Sequence, residues 1–117
     1  MTPEEAASGI ERIRHHAAQH NRRVPSDHFG VIIAYCLART PEAAAEEAAP
    51  RLPRQRADLR PADYCGLGTP DDVCRLIDRY IAVGVSKFVL RPTCRPERFF
   101  EHLDALGKEM VSQYHRP

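Results

Sequence analysis

Arg91 is the residue of this sequence best placed to hold an anionic ligand. It follows a short apolar strand candidate, Ser86–Leu90, and opens the loop that contains Pro92, Thr93 and Cys94. A guanidinium at a strand end can bind a phosphate or a carboxylate through two parallel hydrogen bonds. The alternative is an ion pair between Arg91 and a carboxylate of the next helix, such as Glu97.

Three histidines near the start of the chain raise the possibility of a metal site. His16 and His20 are four residues apart, so they share one face of a helix, and His15 adjoins them. No acidic residue or cysteine stands at a ligand spacing from them, and the H-E-x-x-H pattern is absent. We therefore predict solvated histidines and no metal site. His28, His102 and His115 are isolated in the sequence.

The cysteines favour a reducing compartment. Cys36, Cys65, Cys74 and Cys94 form no C-x-x-C pair, and the first residues, MTPEEAASG, lack the features of a secretory signal. No apolar run approaches the roughly 20 residues that span a bilayer. We therefore expect free thiols and a cytoplasmic location without a membrane partner. Cys94 lies beside Arg95, whose charge could lower the thiol pKa, but the alternative is a small hydrophobic side chain.

Residues 50–68 form a connector rich in arginine and proline. Its arginines are a candidate surface for an acidic partner or RNA, or else a solvated linker with ion pairs; they are Arg51, Arg54, Arg56 and Arg60. The connector lacks interleaved aromatic residues, and the net charge of the chain is only +1. We therefore expect no nucleic-acid partner. Gly66 and Gly68, before a helix start, could present amides to an anion or simply form a turn.

The helices that position these residues begin at Thr-Pro pairs. Thr2, Thr40 and Thr69 each precede a proline and then an acidic residue, as is typical of helix N-termini. We predict helices from Thr2 to about Asn21, from Thr40 to Ala49, from Thr69 to Gly84, and from about Pro96 to Gln113. Their apolar spacing predicts buried faces made of Ala6, Ile10, Ile13 and Ala17; of Val73, Leu76, Ile77, Tyr80 and Ile81; and of Phe99, Leu103, Leu106 and Met110.

Two strands alternate with these helices. Phe29–Leu37 and Ser86–Leu90 are short apolar runs bounded by breakers, whereas Gly66–Gly68 is predicted to be a flexible loop. Strands separated by helical crossovers belong to a parallel α/β sheet, here within a single domain over 1–117. Two strands leave open edges and exposed faces, so we expect additional strands from another chain, from a second copy, or from a longer protein.

Three segments carry a resemblance to a known family. They are GIERIRHHAAQHNRRVPSDHFGVIIAYCL, RTPEAAAEEAAPRL and GLGTPDDVCRLIDRYIAVGVSKFVLRP. In order and spacing they resemble the C-terminal end of the luciferase-like monooxygenases, oxidoreductases built on a TIM barrel. The resemblance covers about residues 5 to 113. It implies a partial (β/α)8 barrel containing the last two parallel strands and about four flanking helices.

The resemblance also implies a function. The family uses flavin mononucleotide (FMN) or the deazaflavin coenzyme F420 to oxidise or reduce small organic substrates. Barrel active sites lie at the carboxyl ends of the strands, which makes Arg91 and Thr93 the candidate cofactor-binding residues. Most of the family's cofactor pocket lies in the N-terminal two-thirds, so no catalytic residue is assigned here and the chain is expected to be inactive alone. The alternative is a non-catalytic α/β module that completes its sheet by self-association or with a partner subunit.

Overall fold

The computed structural model describes residues 1–52, 56 and 58–114. Within these residues the chain forms four α-helices and three β-strands. In chain order they are α1 (Pro3–Gln19), β1 (Gly30–Leu37), α2 (Pro41–Ala48), β2 (Gly66–Gly68), α3 (Pro70–Ala82), β3 (Lys87–Pro92) and α4 (Phe99–Tyr114). Pro53, Arg54, Gln55, Ala57 and the predicted isolated His115 lie outside the described residues.

The Thr-Pro pairs start three of the helices as predicted. The hydroxyl oxygens of Thr2, Thr40 and Thr69 accept hydrogen bonds from the backbone N–H three residues on, at 3.1, 3.1 and 3.2 Å. Each bond satisfies one of the N–H groups that a helix start leaves without a partner. None of the described helices has both the length and the apolar character needed to cross a membrane.

The strands form one parallel sheet in the order β2-β1-β3. β1 pairs with β3 from Gly30 opposite Lys87 to Tyr35 opposite Pro92. This confirms that the two predicted strands are neighbours in a parallel sheet. The prediction that Gly66–Gly68 is a flexible loop is wrong, because these residues form β2 and pair with the last three residues of β1.

The two faces of the sheet are covered unequally. Helices α1, α3 and α4 pack on one face, where the core contains Ala6, Ile10, Phe29, Ile33, Tyr35, Leu37, Val73, Leu76, Ile77, Tyr80, Val85 and Leu106. Among the described helices, only α2 packs on the opposite face, where its Ala44 and Ala48 and the nearby Tyr64 cover Ala34 and Cys36 near the carboxyl end of β1. On the same face, closer to the amino ends of β1 and β3, Ile32 is 73% exposed and Val89 is 60% exposed. We call the exposed part, made of Ile32, Lys87, Val89 and Arg91, the open face.

Three predicted helix faces differ from the observed ones. In α1, Ala6 and Ile10 are buried as predicted, but Ile13 is 48% exposed because the second half of the helix extends past the core. In α3, Val73, Leu76, Ile77 and Tyr80 are buried as predicted, but Ile81 is 43% exposed at the edge of the buried face. In α4, Phe99 is 39% and Leu103 41% exposed, whereas His102 and Leu106 are buried. The buried face of α4 is therefore rotated towards a polar residue, and the reason lies at the carboxyl end of the sheet.

Candidate functional site at the carboxyl end of the sheet

The two predicted cofactor-binding residues lie at the end of β3 in different surroundings. Arg91 is exposed on the open face, and its guanidinium makes no ion pair within residues 1–52, 56 and 58–114, including with Glu97. Thr93 is buried, and its backbone N–H and its hydroxyl both donate to the Tyr35 carbonyl at 2.8 Å. Arg91 is thus open to an anion, whereas the hydroxyl proton of Thr93 is already donated to the Tyr35 carbonyl. Cofactor binding by Arg91 and Thr93 stays a prediction.

A second group of polar side chains meets close to this end of the sheet. Cys36 of β1, Glu47 of α2 and His102 of α4 each point a potential ligand atom to one place, and these atoms lie within 4.8 Å of one another. His102 is 1% exposed. With Arg98, these residues form what we call the His102 cluster. It is absent from the sequence-based predictions, which treated His102 as isolated.

His102 completes the backbone pairing of β1. Its Nε2 accepts a hydrogen bond of 2.8 Å from the Leu37 N–H, and Arg98 Nη2 donates to the Leu37 carbonyl at 3.3 Å. The pairing of β3 with β1 stops at Pro92 opposite Tyr35, so Leu37 has no strand partner on that side. The side chains of His102, in α4, and Arg98, in the turn before α4, therefore supply the hydrogen bonds that a neighbouring strand would give to Leu37. A buried N–H left without a partner would cost free energy, which explains why a histidine occupies the buried face of α4.

Glu47 ties α2 into the same cluster. One carboxylate oxygen is ion-paired with Arg98 Nη1, and the other accepts the Arg95 backbone N–H at 3.0 Å. Burial alone would raise the pKa of Glu47, but the hydrogen bond from Arg95 and the charge of Arg98 hold it below its usual value. Glu47 therefore stays ionised and links α2, on one face of the sheet, to the turn that precedes α4.

The cluster lacks the properties of a nucleophilic site. The Cys36 Sγ lies 3.8 Å from His102 Nε2, but that nitrogen must carry its lone pair towards the Leu37 N–H, so it cannot accept the thiol proton. Burial, followed by the charge of Glu47, raises the pKa of Cys36 to about 12. A thiol of this kind stays protonated and unreactive at neutral pH.

The same bonds weigh against a metal ion in the cluster. Cysteine, histidine and glutamate are zinc ligands, and the spacing of their atoms would suit one ion. However, an ion would have to displace the Leu37 N–H from Nε2 and would lie beside the Arg98 guanidinium. The arrangement is instead that of a structural clamp, which joins α2, β1 and α4.

Neither Cys94 nor the histidines in and just after α1 form a reactive or metal-binding site among the described residues. Burial raises the pKa of Cys94, so the idea that Arg95 lowers it is wrong. His16 and His20 are exposed, and His20 Nδ1 lies 3.1 Å from the His16 carbonyl oxygen. Within the described part of the chain, no cluster of three metal ligands includes them.

Contacts within the chain also explain the Gly66–Gly68 segment before α3 and the arginine connector. Thr69 and Asp72 exchange hydrogen bonds at the start of α3, and the Asp72 carboxylate occupies the place where an anion would bind. In the connector, Arg56 is ion-paired with Glu5 and Asp58, and Arg60 with Asp63. Arg54 lies outside the described residues. The predicted linker with ion pairs is therefore confirmed for Arg56 and Arg60.

Comparison of the chain with protein-family models and with curated proteins gives no significant match in either case. The open face with Arg91 and the buried His102 cluster are therefore the features on which a functional proposal has to rest. Of the two, the open face is accessible to a ligand or to another polypeptide.

Proposed function

We propose that this chain is the C-terminal part of a luciferase-like (β/α)8 barrel, which contributes to an oxidoreductase that uses FMN or the deazaflavin coenzyme. The observation that carries the proposal is the difference between the two faces of the sheet. In a barrel, helices cover the outer face of the strands, and the inner face meets the side chains of the other strands. Helices α1, α3 and α4 would form the outer layer, and Ile32 and Val89 would point into the barrel interior, which α2 would cover at the carboxyl end of β1.

The shape of the chain supports this proposal. Its accessible surface is 7970 Å², whereas a compact monomer of 13.2 kDa should expose about 6400 Å². The molecule measures 20 Å along its shortest axis, about the thickness of one sheet and one helix layer. Additional strands against the open face would bury part of this excess surface, including Ile32 and Val89. Such strands could come from the N-terminal portion of the barrel or from a second copy.

In this proposal Arg91 holds the anionic part of the cofactor. It ends β3 on the side that would face the barrel interior, at the carboxyl end of the strands, where barrel enzymes bind their substrates. Its exposed guanidinium could form two parallel hydrogen bonds with a phosphate. The substrate and the catalytic groups would then be held mainly by residues outside this chain.

A non-catalytic module that completes its sheet with a partner is the second candidate. One observation favours it. Among the described residues, the cysteine and histidine that approach each other are buried, and the histidine nitrogen already accepts the Leu37 N–H, so they supply no accessible nucleophile or base. The module would retain the open face and its edge but would bind no cofactor.

Cofactor titration separates the two candidates. If the oxidoreductase proposal is right, FMN or the deazaflavin coenzyme should change fluorescence on binding with a dissociation constant on the order of 1 mM, because only a part of the pocket is present. The substitution Arg91→Gln should weaken binding about tenfold, since it removes a charged hydrogen-bond donor. Arg22→Gln, the same substitution at an exposed arginine away from the sheet, is the matched control.

Light scattering after size-exclusion chromatography should accompany the titration. No fluorescence change with either cofactor at millimolar concentration would contradict the oxidoreductase proposal. A folded monomer that neither binds a cofactor nor exposes its open face to apolar dyes would contradict both candidates.

A further inference from the structure

The outward side of β3 combines charge, apolar surface and open backbone groups. Lys87, Val89 and Arg91 alternate along the strand, so their side chains lie in one row on the open face. All three are exposed, and neither Lys87 nor Arg91 is ion-paired with a carboxylate in the described ranges. The row therefore presents positive, apolar and positive side chains in turn.

The backbone beside this row is ready to pair with another strand. The N–H groups of Lys87 and Thr93 point to β1, where they donate to Phe29 and Tyr35. Because strand residues alternate in direction, the N–H and carbonyl groups of Phe88 and Leu90 point to the opposite edge. Among the described residues, no loop or helix gives them a backbone hydrogen bond. Pro92 has no N–H, so pairing at this edge would centre on Phe88 and Leu90.

A second copy fits this edge poorly. A two-fold antiparallel pairing through Phe88 and Leu90 would set Lys87 directly opposite Arg91 of the copy, on the same face. A parallel pairing in register would set each cation beside its own equivalent. Like charges that face each other across strands are destabilising, and charged residues on edge strands oppose this kind of self-pairing.

We propose that this edge binds an extended strand of a different sequence, with a carboxylate, an aliphatic residue and a carboxylate facing Lys87, Val89 and Arg91. The carboxylates would pair with the two cations. The Arg91 guanidinium has five N–H donors, so a bond to the strand would leave others for the cofactor phosphate. The aliphatic side chain would extend the apolar surface of Val89 and Ile32, beside a cavity of about 380 Å³ that Gly30, Ile32, Lys87 and Val89 help to line. The inference deepens the proposed function, on which it rests for the idea that strands from elsewhere complete the sheet.

A charge-reversal experiment tests this proposal. The probes are two fluorescein-labelled peptides, TEVVTET and TKVVTKT, which place glutamate or lysine on either side of a valine on one strand face. Fluorescence anisotropy should show that the chain binds TEVVTET at least about tenfold more tightly than TKVVTKT, because two attractive pairs replace two repulsive ones. The double variant Lys87→Glu/Arg91→Glu should reverse this preference, which a variant that merely unfolded could not do.

Other outcomes would overturn the proposal or leave the proposed function in question. Equal affinity for the two peptides, or no binding of either up to millimolar concentration, would reject the acidic strand. A concentration-dependent dimer of the unmodified chain that blocks the peptide would assign the edge to a second copy instead. Peptide binding without any cofactor binding would reject the oxidoreductase but keep the interaction site, and the reverse result would reject only the strand.

Discussion

Replacing His102 with phenylalanine should lower the free energy of unfolding by about 2–3 kcal/mol at pH 7.5. The phenyl ring can fill the space of the imidazole, but it cannot accept the hydrogen bond of 2.8 Å from the Leu37 N–H. That N–H would be left buried and unsatisfied, which costs more than the hydrogen bond itself contributes. Urea denaturation of both proteins, followed by circular dichroism, measures the difference.

The same substitution should change how stability depends on pH. Burial, followed by the charge of Arg98, lowers the pKa of His102 below its reference value of 6.5, while Glu47, Glu101 and the backbone of Arg98 partly oppose the shift. The unfolded chain then binds a proton near pH 6.5 that the folded chain does not. Stability is therefore complete above this pH and falls as the pH is lowered towards 5, by up to about 1.4 kcal/mol per pH unit.

Two comparisons make this result specific to His102. In the phenylalanine variant, the free energy of unfolding should no longer show the loss due to His102 between pH 7 and pH 5. Glu47, whose pKa is lowered, affects the pH dependence of stability only below about pH 4.5. His102→Gln is the matched control, since its side-chain oxygen can accept the hydrogen bond but does not titrate. Equal stability of the phenylalanine variant and the unmodified chain at pH 7.5 would show that the Leu37 bond does not form.

Gly68→Ala should destabilise the chain by about 2–4 kcal/mol. Gly68 has a φ of +126°, and a Cβ built there would lie 2.3 Å from Asp72 Oδ2. That oxygen accepts hydrogen bonds from the backbone N–H and the hydroxyl of Thr69, at 2.9 and 3.0 Å. An alanine would thus strain the backbone and displace the cap of α3 at once.

Gly107→Ala is the matched control for this prediction. Gly107 lies within α4, and nothing stands within 4 Å of a Cβ added there. The same substitution should therefore stabilise the chain by about 0.5–1 kcal/mol, through the helix preference of alanine. Thermal unfolding of both variants provides the comparison, and a loss of stability at Gly107 as large as that at Gly68 would contradict the local explanation.

The sequence allows those parts of the fold to be predicted that depend on neighbouring residues. The helix starts at Thr2, Thr40 and Thr69 follow from a hydroxyl and a proline within a few residues of each other. The pairing of β1 with β3 follows from two apolar runs separated by helices. The prediction that Arg91 opens the loop after this strand is wrong, because pairing with β1 continues to Pro92 and Arg91 lies within β3, opposite Ala34.

The remaining features depend on contacts between distant residues. β2 is too short, and too rich in glycine, to show a strand pattern, and it exists because Gly66–Gly68 pairs with the end of β1. The role of His102 depends on a bond to Leu37, 65 residues away. One local signal was present: His102 lies three residues after Phe99 and four before Leu106, next to the predicted apolar face, where a polar side chain that becomes buried needs a partner.

Hydrogen exchange at single amides of β3 tests most directly whether the sheet is open to added strands. In the isolated chain, the amides of Val89 and Arg91, which point to β1, should exchange slowly, and those of Phe88 and Leu90 should exchange nearly as fast as amides in exposed loops. Phe88 and Leu90 amides protected as strongly as that of Val89 would contradict the proposal, because the edge of β3 would then already be covered.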